Sequence, residues 1–262
     1  MKNQNKTVLI TGSTSGLGFS LAEIFIENGF RVIIHGRTTQ KLKKTYEKLT
    51  RLGRIKPDTF LADTSNIKTL ETKMIDYVKN NPPIDLVIFC HASNLHSPIE
   101  KLGTKQIQYL SNTNFQSVCV MTTIILSSML PKGSGSFCFI LSGAARFPLP
   151  YYSIYSASKS ALESFAKVLR MEMLDRGINV CLVYPGKMNT EFDNKTKLND
   201  PIYSGKGTPI KGTDPNKVAQ KIFNDIVAGR SRSIHSFLPH IISLIDVFFS
   251  SFVEKQIIRK LK

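Results

Sequence analysis

Acidic residues are scarce in this chain, and its cysteines are few and far apart. The 262 residues carry 19 Asp and Glu against 35 Lys and Arg, a formal net charge of +16. Such a charge invites a nucleic-acid or membrane reading. The lysines, however, are scattered through helical stretches such as KLKKTYEKL, with no aromatic interleaving and no nucleic-acid motif. They describe a solvated surface rather than a specific nucleic-acid interface, compatible with a phosphate-rich cofactor or an acidic surface. The four cysteines, Cys90, Cys119, Cys138 and Cys181, sit inside apolar runs such as VIFC and SFCFI and form no CxxC pair. That spacing argues against a metal site and for reduced thiols packed as small hydrophobes in a cytoplasmic protein. No period of 20–50 residues repeats, and no low-complexity block stands out. MKNQNK runs straight into TVLI, which leaves no room for a signal peptide.

What is present is an alternation. Short apolar runs, KTVLI (6–10), RVIIH (31–35), LVIFC (86–90), SFCFIL (136–141) and NVCLVY (179–184), with a weaker one at 55–62, read as strands buried on both faces. Between them lie helical candidates at 16–28, 39–52, 66–80, 104–130 and 153–176. Strand–helix alternation of this kind predicts an α/β fold, a doubly wound parallel sheet with helices on both faces, as a single domain over 1–262. After Pro185 the alternation weakens. Residues 187–213 read as a long loop of the kind that shapes a substrate site. A helix then follows Asp214-Pro215 and stops at Gly229.

The first strand-to-helix turn is TGSTSGLG, residues 11–18. Glycines there let main-chain N–H groups approach a pyrophosphate, and the helix N-terminus adds unpaired donors and partial positive charge. After the second strand, where an NAD enzyme carries an acid for the ribose hydroxyls, this chain has Gly36 and then Arg37. A guanidinium binds a 2′-phosphate that a carboxylate would repel, which favours NADP(H) over NAD(H).

With TGSTSGLG, HGR, LAD, YSASK and YPGKMNTE in this order, the chain resembles the short-chain dehydrogenase/reductase family over about residues 6–190. The resemblance implies a Rossmann-like sheet of about seven strands and a set of roles. Gly12, Ser15, Gly16, Leu17 and Gly18 match the cofactor loop, with Ser13 a further candidate inside it. Asp63 and Thr64 match the adenine side, and Pro185, Gly186 and Thr190 the segment beside the nicotinamide. Asn114 matches the asparagine that holds a water in the proton relay. Ser142 matches the serine that hydrogen-bonds the substrate oxygen. Where the family usually has Asn-Asn-Ala-Gly, this chain has Cys90-His91-Ala92-Ser93, and a structural or cofactor-lining role is expected for His91.

Tyr155 and Lys159 are four apart, about 40° around a helix, and so share a face. A phenol titrates near ~10 in water; an ammonium beside it favours the phenolate and makes the phenol a usable acid near neutrality. The expected chemistry is hydride transfer to a carbonyl held by Ser142 and Tyr155, with Lys159 also gripping the cofactor ribose. Asn114 and water would connect the tyrosine to solvent. Tyr151 and Tyr152 lack a lysine four residues on and are candidates for lining the substrate cleft. A reductase of 3-oxoacyl thioesters and a non-catalytic NADP-binding regulator remain alternatives. Family members commonly form homodimers or homotetramers through the helices matching 104–130 and 153–176.

The tail, 238–262, has apolar Ile241, Ile245, Phe248 and Phe252 at helical spacing, closed by Lys255, Arg259, Lys260 and Lys262. It reads as an amphipathic helix, either resting on a membrane surface or packed over the cleft or in a dimer interface. In each case it suggests a hydrophobic carbonyl substrate.

Overall fold

The computed structural model describes residues 6–53, 55–190, 192, 212–236 and 241–245. Seven parallel strands form one sheet: β1 (Thr7–Ile10), β2 (Arg31–Gly36), β3 (Asp58–Leu61), β4 (Leu86–Phe89), β5 (Gly135–Ile140), β6 (Ile178–Tyr184) and β7 (Arg232–Ile234). Their order is β3-β2-β1-β4-β5-β6-β7. The chain therefore reverses its direction of growth at β1, which pairs with β2 on one side and β4 on the other. Loops leaving β1 and β4 diverge there and open a crevice at the carboxyl ends of the strands.

Helices α1 (Gly16–Glu27), α2 (Thr39–Leu49), α3 (Ile67–Asn80), α4 (Thr104–Ser111), α5 (Ser117–Met129), α6 (Ser153–Glu172) and α7 (Pro215–Val227) cover the sheet. Alternate strand residues feed two cores. Leu9, Ile33, Val87, Phe89, Phe137 and Phe139 pack under α3, α5 and α6. Val8, Ile10, Val32, Ile34, Ile88 and Val183 pack under α1, α2 and α7. Each such side chain removed from water contributes ~1.5–3 kcal/mol, and burial on both faces explains why the runs are continuously apolar. Cys138 and Cys181 face each other across β5 and β6 inside this core, and burial pushes the Cys90 thiol up to about 12.

The helix expected over 104–130 is present and carries a π-helical turn, Asn112–Gln116, within it. The expected seventh strand is β7, only three residues long at the sheet edge, which none of the apolar runs in the sequence places. The Thr104–Lys132 stretch has the length and hydropathy of a membrane span, but Val118, Met121, Ile125 and Met129 spend that apolarity on the sheet. The loop 187–213 is pinned at its base, where Thr213 N–H donates to the Lys187 carbonyl at 2.9 Å and Asn189 N–H to the Thr213 carbonyl at 3.0 Å. Residues 193–211 lie outside the described part, as does most of the 238–262 tail; Ile241, Leu244 and Ile245, within it, are exposed.

Candidate active site

The β1–α1 turn is held in a shape that only glycine permits. Gly12 has φ +66° and Gly16 φ +55°. A Cβ on Gly12 would stand 2.8 Å from the His91 Cα, and one on Gly18 only 2.5 Å from the Gly12 carbonyl oxygen. Gly12 N–H donates to His35 Nδ1 at 3.0 Å, so the His35 proton is on Nε2, which faces the Ala62 carbonyl at 3.2 Å. Ser13 is turned inward: its N–H donates to the His35 carbonyl, and its hydroxyl accepts from His35 N–H at 2.8 Å. It braces the loop from behind. Ser15 is exposed at the start of α1 in extended backbone, and its side chain makes no capping bond. The first turn of α1 thus presents main-chain donors, with Leu17 and Gly18 buried beneath. The fit to a dinucleotide phosphate is a cradle that a single methyl group would fill.

Around that crevice, Arg37 is exposed and donates from Nη1 to the Tyr109 hydroxyl on α4 at 2.7 Å. Asp63 is exposed, with Oδ1 accepting from the Ser65 N–H and hydroxyl, while Thr64 is buried beside it. Pro185 is buried and Gly186 half-buried at the end of β6. The methyl of Thr190 would lie 3.4 Å from a Cβ on Gly16, so the segment after β6 reaches the β1–α1 turn.

Tyr155 and Lys159 lie in the first two turns of α6. Lys159 is 3% exposed, its Nζ 6.0 Å from the Tyr155 ring centre and donating to the Ile140 carbonyl at 2.8 Å. Burial pulls its pKa down to about 8, with Cys90 opposing. Ser142 follows β5 and caps a short 3-10 turn, Gly143–Ala145; its Oγ accepts from Ala144 N–H at 3.1 Å. Because the oxygen accepts there, the hydroxyl proton is left to donate elsewhere.

Asn114 is fully buried in the π turn. Its Oδ1 accepts from Ser93 N–H at 2.7 Å, and its Nδ2 donates to the Ser93 carbonyl and to the Ser158 hydroxyl. Ser158 in turn donates to the Tyr155 carbonyl at 2.8 Å. Both amide hydrogens of Asn114 are therefore engaged in tying three segments together. The π turn also rearranges the main chain: Ser117 N–H bonds to the Asn112 carbonyl, and the Thr113 carbonyl takes the Ser117 hydroxyl at 2.8 Å.

His91 is a brace. Ser117 Oγ donates to Thr113, so it accepts from His91 Nε2–H at 2.9 Å, while Nδ1 accepts from Thr11 Oγ1 at 2.7 Å. Burial, then the charges of His35 and Lys159, hold its pKa down at about 3; burial holds His35 at about 4. Both imidazoles are neutral at physiological pH.

A row of rings leads away from Tyr155. Phe192 is 5.9 Å on one side and Tyr152 6.5 Å on the other, with His96 5.0 Å from both Tyr152 and Tyr151. Tyr151 holds a left-handed backbone at φ +68°, the one non-glycine residue among those described to do so, a conformation that stores strain. A cavity of about 510 Å³ is lined by Arg146, Ser160, Glu163, Lys167, Ser243 and neighbours, and by none of Asn114, Ser142, Tyr155 and Lys159. Residues that the sequence reading did not single out, Tyr109, Ser158, His35 and Glu163, act through contacts between distant segments. Ser158 and Glu163 share a helix with Tyr155 and Lys159.

The family described as short chain dehydrogenase matches residues 6–201. "Dehydrogenase/reductase SDR family protein 7-like" of Drosophila melanogaster is 32% identical over 230 residues, 85% of this chain and 70% of that protein. "3-dehydrosphinganine reductase TSC10B" of Arabidopsis thaliana is 27% identical over 241 residues, 90% and 72% of the two chains. Among solved structures, a short-chain dehydrogenase from Sphingobium yanoikuyae in complex with NADPH superposes with TM-score 0.78 at 18% identity, covering 98% and 96%. One from Burkholderia phymatum in complex with NAD gives 0.81 at 16% identity, covering 95% and 96%.

Proposed function

The chain belongs to the short-chain dehydrogenases, oxidoreductases acting on CH–OH and C=O groups, and from that premise we propose an NADPH-dependent carbonyl reductase acting on a lipophilic ketone. The observation that carries the reading is the buried Lys159, its Nζ 6.0 Å from the Tyr155 ring and donating to the Ile140 carbonyl two residues before Ser142, with Asn114 tied to Ser158 on the same helix.

A nicotinamide bound in the crevice supplies or accepts the hydride. Gly12, Ser15, Gly16, Leu17 and Gly18 would hold its phosphates through main-chain donors. Asp63 and Thr64 would flank the adenine; Pro185, Gly186 and Thr190 would border the nicotinamide. Arg37 supports the preference for NADP(H) over NAD(H), since its guanidinium suits a 2′-phosphate and no carboxylate stands at that strand end. Ser142 donates its hydroxyl proton toward the substrate oxygen and stabilises charge growing there. Tyr155 delivers the proton from its hydroxyl to that oxygen. The Lys159 ammonium, pinned by Ile140 and still mostly protonated at neutral pH, favours the phenolate left behind. Both amide hydrogens of Asn114 are engaged, so a water relaying the proton to solvent would be held by a main-chain carbonyl of the π turn rather than by the Asn114 amide hydrogens.

The ring row of Phe192, Tyr152, His96 and Tyr151 supports a hydrophobic substrate, as does the likeness to a 3-dehydrosphinganine reductase. That same likeness keeps a 3-oxoacyl compound as the second reading. Exposed Val168 and Met171 on α6, and Leu174 in the turn after it, support pairing of two copies through α5 and α6, and exposed Ile241, Leu244 and Ile245 support peripheral membrane contact on the cytoplasmic side. The test is NADPH oxidation against a panel of ketones and 3-oxoacyl thioesters, with Tyr155→Phe as the control. The variant should lose at least ~100-fold in kcat with NADPH affinity kept; normal turnover by it would refute the mechanism.

A further inference from the structure

Beyond the four site residues, the 20-residue α6 carries a buried carboxylate. Tyr155, Lys159, Glu163 and Lys167 follow one another at four-residue spacing. Glu163 Oε1 accepts from Arg146 Nη2 at 2.7 Å and pairs with Lys167. Arg146 directly follows the three-residue turn that Ser142 caps. The same turn is stitched to α6 a second time, where the Ser160 hydroxyl donates to the Ala145 carbonyl at 2.9 Å. On its other side the Arg146 guanidinium lies 5.7 Å over the ring of Tyr184, the last residue of β6 before Pro185 and Gly186. The three segments that build the reacting face therefore meet at Arg146, and Glu163 is what holds it.

Stability alone does not explain this choice. Glu163 Oε2 is buried and has no hydrogen-bond partner among the described residues, and a buried ion pair rarely outperforms a well-packed apolar side chain. We propose that Glu163 is a positioning residue for the reaction: through Arg146 it fixes the Ser142 turn relative to Tyr155. It touches neither substrate nor cofactor. Without the carboxylate, Arg146, only 28% exposed, turns toward water, and a three-residue turn is too short to absorb the movement before Ser142.

The proposal rests on Ser142 and Tyr155 acting together as described above. Glu163→Gln and Arg146→Gln are made with and without Ser142→Ala, and reduction is followed in single turnover by the NADPH-loaded enzyme. Each single variant should lose about 10- to 100-fold in rate, the range for a small misplacement of a reacting group. NADPH affinity and substrate KM should stay within about twofold, because the lost interaction acts on the transition state. In the Ser142→Ala background the further loss should vanish. An equal loss in both backgrounds, or an unchanged rate, overturns the proposal while leaving the reductase reading intact. The double variant Glu163→Met with Arg146→Met, which replaces both partners by apolar side chains, guards against misfolding: its urea midpoint should hold and its rate should fall, and a full rate would overturn the proposal. Wild-type enzyme that reduces no carbonyl removes the reductase reading itself, and this proposal with it.

Discussion

His91→Asn should remove about half of the acid sensitivity that two buried histidines build into this fold. His91 titrates at about 3 and His35 at about 4 in the folded chain, against 6.5 when unfolded. The unfolded chain therefore takes up the extra protons as pH falls. Stability from these groups is complete above pH 6.5 and is lost progressively toward the folded values. At pH 5 the unfolded imidazole is almost fully charged and the folded one almost fully neutral, a cost of about 2 kcal/mol per histidine. Because both folded values lie below 5, that cost is set by the unfolded pKa alone. The pair thus costs about 4 kcal/mol at pH 5, a large share of a typical domain stability of ~5–15 kcal/mol. Urea unfolding at pH 7 and pH 5, wild type beside His91→Asn, isolates one half. Contributions from carboxylates, His96 and His235 cancel in the difference. The variant should lose about 2 kcal/mol less than wild type between the two pH values. An identical loss would mean that His91 is not held neutral between Thr11 and Ser117, and the bracing argument would fall.

Two further outcomes follow from the crevice. Arg37→Glu should weaken NADPH binding by about 10- to 100-fold, the worth of a hydrogen bond to a charged group, while NADH affinity holds or improves; titration of both cofactors by fluorescence checks this, and an unchanged ratio would remove Arg37 from cofactor choice. Gly12→Ala should cost at least ~1–2 kcal/mol from the left-handed backbone alone, and more from the contact with the His91 main chain. Thermal unfolding and NADPH titration should both register it, and wild-type values would show that the turn is looser than described.

The placing of Tyr155 and Lys159 on one helix face was legible in the sequence because it is local: they lie one helical turn apart, and a turn is fixed by backbone geometry. Gly12, Gly16 and Gly18 were legible for a similar reason, since left-handed backbone and close approach demand glycine whatever the rest of the fold does. The strands β1, β2, β4, β5 and β6 announced themselves by burial on both faces. The π turn did not, because it depends on Asn114 reaching Ser93, twenty-one residues back, and Ser158, forty-four ahead. His91 was placed in a structural or cofactor-lining role, but its partners Thr11 and Ser117 belong to other elements. Arg37 finds Tyr109 seventy-two residues away.

The sequence by itself determined the strand–helix alternation, the glycine turn after β1 and the face shared by Tyr155 and Lys159, because each is a property of near neighbours along the chain. Tertiary structure alone decided that Ser13 turns inward, that the Asn114 side chain ties Ser93 to Ser158, and that Glu163 and Arg146 join the Ser142 turn to α6. Those are contacts between segments whose meeting is fixed by strand order and packing, and no local pattern encodes which distant side chain will be waiting there.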